Sequence, residues 1–241
     1  MNFKKIASIL SVIVVTGLII YGYILYRDIF GANTKFSENE VYVYIPTDAT
    51  YDEVKNIVAP YIKDMSRFEM VATKKSYPER SDKSGRFLLK KGMNSNEIVN
   101  SLRLNVPVNL AFNNQERLEN FAGRIGSQIE ADSLSLLDAF RDKKFLEENG
   151  FTEENVLSMF VPNSYEFFWN TSAVKFRDRM AKEYRKFWTN DRLEKAKQLN
   201  LTPIQVSILA SIVHKETVKR DERPRVAGVY LNRLQRGIKL E

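Results

Sequence analysis

The chain has 241 residues, of which 44% are hydrophobic and 28% charged, a balance that excludes wholesale disorder and allows a membrane anchor plus one or two modest domains. It has no cysteine and a single histidine, His214, which excludes disulfides, thiolate nucleophiles and multi-histidine metal sites; no cofactor is expected. The formal net charge of +7 favours anionic partners without choosing between nucleic acid, lipid headgroups and an acidic polymer.

The first predicted element is a transmembrane helix over residues 6–26, which contain no charged side chain. A stretch of about 21 residues is long enough to cross a hydrocarbon core of roughly 30 Å. Lys4 and Lys5 precede it, so residues 1–5 are placed in the cytoplasm, and Tyr21, Tyr23 and Tyr26 sit at the far end, where aromatic rings favour the interface. A cleaved signal peptide is the other reading. Its apolar core would run about 7–15 residues and end in small residues, whereas this one continues into Tyr21-Gly-Tyr-Ile-Leu-Tyr26. With an uncleaved anchor, the protein belongs to the cytoplasmic membrane as a single-pass chain, and everything after Arg27 lies outside it. The cell wall then gains as a partner and nucleic acid drops out.

Residues 27–40, with Gly31-Ala-Asn-Thr-Lys35 at their centre, read as a polar linker. Val41–Ile45 is β-branched and aromatic and ends at Pro46, a strand. Thr50 with Glu53 has capping-box spacing ahead of Val54, Ile57, Val58 and Ile62 at helical period. A second helix is predicted over Arg67–Lys75, a turn at Ser81–Gly85, a strand over Arg86–Lys90 and a helix over Asn94–Leu104. The result is a small α+β module over residues 41–105, about the size at which a domain has only a modest core.

Residues 106–241 form the second predicted domain, mainly helical. Val106–Phe112 is extended and leads into helices near Gln115–Ile129, Ser133–Phe140 and Lys143–Asn149. A loop over Met159–Trp169 follows, then one long helix from Ser172 to Leu199. That helix carries nine Lys or Arg against four Asp or Glu. It is either a solvated face or a surface for an acidic polymer or lipid. Phe176, Met180, Tyr184 and Phe187 on its other side read as core. Thr202 caps the next helix, with Pro203 at its first position, and it is expected to run to about Lys219. A last helix starts near Asp221 and stops at Gly237.

The helix from Thr202 carries the candidate chemistry. Ile204, Ile208 and Ile212 recur at i, i+4, i+8 with Leu209 and Val213 beside them, and Glu216 is the next member of the series. If that stripe is buried, Glu216 is partly buried and its acid form is favoured, as a general acid near neutral pH requires. Lys219 and Arg220 at i+3 and i+4 allow an ordinary surface ion pair instead. His214 projects ~200° from Glu216 around the helix, so the two should not touch. On the final helix, Asn232 and Arg233 either line a groove for sugar hydroxyls or are solvated, with Tyr230 beside them.

Leu209-Ala-Ser-Ile-Val-His-Lys-Glu-Thr217 followed by Glu222-Arg-Pro-Arg-Val-Ala-Gly-Val-Tyr-Leu-Asn-Arg-Leu-Gln-Arg-Gly237 resembles the signature of the endolytic murein transglycosylases, the MltG or YceG-like family. Phe160-Val-Pro-Asn-Ser-Tyr-Glu-Phe167 resembles that family's Phe-Pro-Asp-Thr-Tyr-Glu-Phe segment. The resemblance implies an anchor, a LysM-like module and a mainly helical catalytic domain. It implies cleavage of the β-1,4 bond between N-acetylmuramic acid and N-acetylglucosamine in nascent glycan strands, leaving 1,6-anhydro ends, in company with cell-wall synthesis enzymes. Glu216 then stands at the position of the family's catalytic glutamate, acting as acid and then base. Tyr165, Glu166, Tyr230, Asn232 and Arg233 are the candidate substrate-binding residues. Two positions depart from the family pattern: His214 stands where the family has its first Glu, and Asn163 where it has Asp. The family's Asp-Pro-Thr continuation does not follow Gly237, so the catalytic domain is expected to be truncated at its C-terminal side. The alternative function is a non-catalytic, membrane-anchored scaffold that binds glycan.

Overall fold

The computed structural model describes residues 3–80 and 82–238, without the side chains of residues 3–10, 25, 28 and 29. The fold is mixed α/β and rich in helix, with two small two-stranded sheets. The chain separates into two compact units: Met1–Val108 with Phe168–Asn170, and Asn109–Phe167 with Thr171–Glu241.

The first unit opens with helix α1, Phe3–Phe30. Its described apolar side chains, Val12, Ile13, Leu18 and Ile19 among them, are all exposed. Among the described residues no helix is long and apolar enough to cross a membrane; of the expected span 6–26, the side chains of residues 6–10 and 25 lie outside the described residues. Residues 32–35, expected to be a free linker, are instead stitched into the unit. Asn33 is fully buried, donating through its carboxamide to the Asp64 carbonyl at 2.8 Å and to Ser95 Oγ at 2.9 Å, and accepting from the Asp64 N–H at 2.7 Å. A short polar side chain can do this where a buried backbone would otherwise lack partners.

Strand β1, Glu40–Ile45, pairs antiparallel with β2, Gly85–Lys90, in a register running from Glu40 opposite Lys90 to Ile45 opposite Gly85. Side chains alternate across a strand, so Val43, Ile45, Phe87 and Leu89 share the buried face. Between the strands lie α2, Tyr51–Val58, and α3, Met65–Lys74; after them comes α4, Ser95–Ser101. The expected order of strand, helix, helix, strand, helix is the one observed. Thr50 with Glu53 and Asn94 with Glu97 both close full capping boxes, each satisfying two otherwise unpaired N–H groups. Val54, Val58, Phe68, Ile98 and Leu102 are fully buried beneath the sheet's inner face.

The second unit is built around phenylalanine. Strand β3, Val108–Phe112, leads to α5, Leu118–Gly126, α6, Ser133–Phe140, and α7, Lys143–Asn149. The segment read as a loop at Met159–Trp169 contains a strand, β4, Asn163–Phe167, which pairs with β3. Phe121 sits at the centre, its ring 4.2 Å from Phe160, 4.9 Å from Phe112 and 5.7 Å from Phe140 by centroid. The long basic helix expected over 172–199 is two helices, α8 at Ala173–Phe187 and α9 at Asn190–Gln198. Thr189 accepts the Arg192 N–H and caps α9, so a new helix starts there without help from glycine or proline. Phe176 and Met180 are buried as expected, while Phe187 is partly exposed under the Arg192 guanidinium.

Candidate active site

Helix α10, Pro203–Glu216, starts from a capping box of Thr202 and Gln205 with proline in its first turn. Its buried side is not the isoleucine stripe. Ile208 is 47% exposed, while Leu209 and Val213 are buried at 8% and 7%. Both series recur every four residues, so the buried face is turned by one residue, ~100°, from the expected one. The next member of the buried series is therefore Thr217, itself 8% exposed, and Glu216 is an exposed side chain. The partial burial expected of Glu216 is thus corrected. The alternative ion pair is also absent from its expected register: α10 ends at Glu216, Thr217 turns extended at φ −146°, and Lys219 pairs with Glu222 at 3.3 Å.

The turn after Glu216 is locked by its neighbours. Thr217 Oγ1 donates to Glu222 Oε2 at 2.8 Å and accepts the Lys219 N–H at 3.1 Å. Glu222 stands at the N-cap of α11, Arg223–Gln235, which contacts α10 and stops at Arg236, with Gly237 at φ +70°. Thr217→Val is therefore expected to cost about 0.5–1.5 kcal/mol, because it removes the bonds made by the Thr217 hydroxyl while Glu222 keeps Lys219 and water as partners, whereas Thr217→Ser keeps the lock. Urea unfolding of the two variants checks this.

Tyr230 on α11 is the sequence-predicted residue that the fold brings to Glu216. Its phenol is held above the usual tyrosine range, first by desolvation and then by its hydrogen bond to Glu216 and that residue's charge, with Arg233 opposing. Tyr230 and Arg233 lie three residues apart on one face of α11. Asn232 is ~200° round the helix from Tyr230 and exposed. Tyr165 and Glu166 lie on β4. The Tyr165 hydroxyl donates to the Val161 carbonyl at 2.7 Å and its ring stacks on Phe112 at 5.6 Å, a packing role; burial is the main cause that raises its phenol. Glu166, on the opposite face of the strand, is exposed. No described contact joins Tyr165 or Glu166 to Glu216.

Three contacts around Glu216 escaped sequence reasoning. Lys215 forms an ion pair with Glu116, 99 positions away. Arg223 Nη2 stands 3.2 Å from His214 Nδ1. A guanidinium only donates, so Nδ1 is the acceptor in this contact. The third is the Thr217–Glu222 bond. The Leu209, Val213, Thr217 spacing signals the burial of Thr217 but not its bond to Glu222.

The family model for the YceG-like family matches residues 43–241, most of the chain and all of the site just described. The chain belongs to the YceG-like family. Among solved structures, the crystal structure of a yceG-like protein from Listeria monocytogenes is similar, with 20% identity, 85% of this chain and 73% of that chain covered, and a TM-score of 0.53. At that identity the likeness shows a shared YceG-like fold. No curated protein matches the chain.

Proposed function

We propose that this YceG-like protein is an endolytic peptidoglycan lytic transglycosylase with Glu216 as its catalytic group. The observation that carries the reading is the placement of Glu216 within the family-matched region: an exposed carboxylate at the end of a well-capped helix, with the Tyr230 phenol beside it and a locked turn behind it. In its acid form Glu216 donates a proton to the glycosidic oxygen between N-acetylmuramic acid and N-acetylglucosamine. The C1–O bond breaks and the N-acetylglucosamine leaves with that proton. The muramic C6 oxygen then bonds to C1 and its proton passes to the Glu216 carboxylate, which restores the acid. No water is consumed, and one carboxylate serves where hydrolases use two. Tyr230, beside Glu216, and Arg233, whose charge acts on Tyr230, are the groups best placed to take part.

The anchor belongs to this reading. Apolar side chains along α1 that are exposed in isolation are what a lipid-embedded helix presents, and the charges at its N-terminal end favour residues 1–5 on the inner side. The β1–α2–α3–β2 arrangement of the first unit supports a LysM-like module on the outer side of the membrane, with nascent glycan strands as the substrate and synthetic enzymes as neighbours. The exposure of Glu216 also suits the second reading, a glycan-binding scaffold without catalysis. The two are separated by incubating the full chain with long uncrosslinked glycan strands. Catalysis shortens them from cuts within the strand; a scaffold leaves their length distribution unchanged.

A further inference from the structure

An open groove of about 780 Å³ lies in the second unit where the end of β3 meets the start of β4. Phe112 and Pro162 give it an apolar wall, with Arg124 of α5 at its rim. The Gln115 carboxamide donates to Asn113 Oδ1 at 2.7 Å and Asn163 Oδ1 accepts the Ser164 N–H at 2.8 Å, so what the three carboxamides turn to a ligand is the Asn113 and Asn163 amide donors and the Gln115 oxygen. The wall is fixed in place: Phe112 is stacked on Tyr165 and meets Phe121 edge-on at 4.9 Å. The neighbouring acids are already neutralised. Glu116 is paired with Lys215 and Glu119 with Arg141, while the Arg124 guanidinium makes no hydrogen bond or ion pair among the described residues. The groove therefore holds an uncompensated positive charge beside neutral amides.

The backbone here is not offered to a partner strand. The Gln128 carboxamide accepts from the Ala111 N–H at 3.2 Å and donates to the Ala111 carbonyl at 3.4 Å, so the free edge of β3 is covered and strand addition is disfavoured. Recognition has to run through side chains. Amides facing an apolar wall suit the hydroxyl, acetamido and ring faces of amino sugars, and a lone guanidinium suits a carboxylate. The groove also has an address. Gln115 is followed by Glu116, whose carboxylate is held by Lys215, the residue before Glu216.

We propose that this groove is a binding site for a carboxylate-bearing amino-sugar strand, in which Arg124 reads the carboxylate. The inference rests on the transglycosylase reading for the identity of the strand. The carboxylate can come from the lactyl group of a peptide-free muramic acid or from a stem peptide, and the test separates these sources.

The full chain carrying Glu216→Gln, which prevents turnover, is titrated with three probes: peptide-free muramyl glycan, peptide-bearing glycan and a chito-oligosaccharide of equal length. The side-chain amide resonances of Asn113, Gln115 and Asn163 report this site apart from any other. At least one carboxylate-bearing glycan should shift them and bind about tenfold more tightly than the neutral sugar, and that arm identifies the source; Arg124→Gln should remove the difference. Equal affinity for all three probes, or resonances that do not move, overturns the proposal. Wild type that binds here yet forms no anhydro ends overturns the reaction and leaves this site standing. Wild type that cleaves while these resonances stay silent overturns the site alone.

Discussion

Glu216→Gln is expected to lower the formation of 1,6-anhydro ends by about 10²–10⁴-fold, the range a positioned acid–base group contributes. The amide keeps the shape of the carboxyl group and can still accept from Tyr230, but it neither donates a proton to the glycosidic oxygen nor takes one from the C6 hydroxyl. Because Glu216 is exposed at the end of α10, the substitution should change stability by no more than about 0.5 kcal/mol. A thermal melt that overlays wild type, together with lost product, then assigns the defect to chemistry. Glu216→Asp tests reach separately: it keeps the acid but withdraws it by one methylene, and it should also fall well below wild type, since small misplacements of a reacting group are heavily penalised.

The largest effect on stability is expected at Phe121. Its ring is almost fully buried and touches Phe112, Phe140, Phe160 and Phe176 in one cluster. Phe121→Ala removes the shared partner of these rings and leaves a cavity between elements from α5 to α8. Substitutions of this kind cost about 3–5 kcal/mol, a large part of the roughly 5–15 kcal/mol that holds a domain together. Urea unfolding should show a midpoint shifted strongly downward for the second unit, with aromatic near-ultraviolet dichroism lost first. A midpoint within error of wild type would show that the ring cluster contributes little to the fold.

Much of the first unit was legible from local chemistry. The β-branched run before Pro46, the Thr50–Glu53 box and the polar turn before Arg86 each act within a few residues, and each marks its element where the fold has it. The misreadings share another cause. Along α10, isoleucine, valine and leucine occur on nearly every side, so two series of period four compete and only tertiary packing picks Leu209, Val213 and Thr217 over Ile204, Ile208 and Ile212. Strand β4 carries Asn163, Ser164 and Glu166, which read as a loop until β3 supplies its partner. The break at Trp188–Thr189 has no glycine or proline to announce it and depends on one side-chain cap.

The candidate site shows the same division. Glu216 was singled out by its motif, and the fold supplies Tyr230 as its neighbour. The exposure of Glu216 was not legible, because it depends on the phase of the helix. The lock formed by Thr217, Lys219 and Glu222 requires the chain to leave the helix at Thr217, which the series of apolar residues does not encode. The Lys215–Glu116 pair joins positions 99 apart and has no local signature.

The central claim is that the glycosidic bond is broken without water, and the chemical identity of the new ends tests it most directly. Full-length protein is incubated with uncrosslinked glycan strands in isotopically labelled water, and the released fragments are weighed by mass spectrometry. The account predicts fragments ending in 1,6-anhydro-N-acetylmuramic acid, each lighter than a hydrolysis product by one water and carrying no label. Labelled reducing ends, or strands left whole under conditions in which they bind, would contradict it.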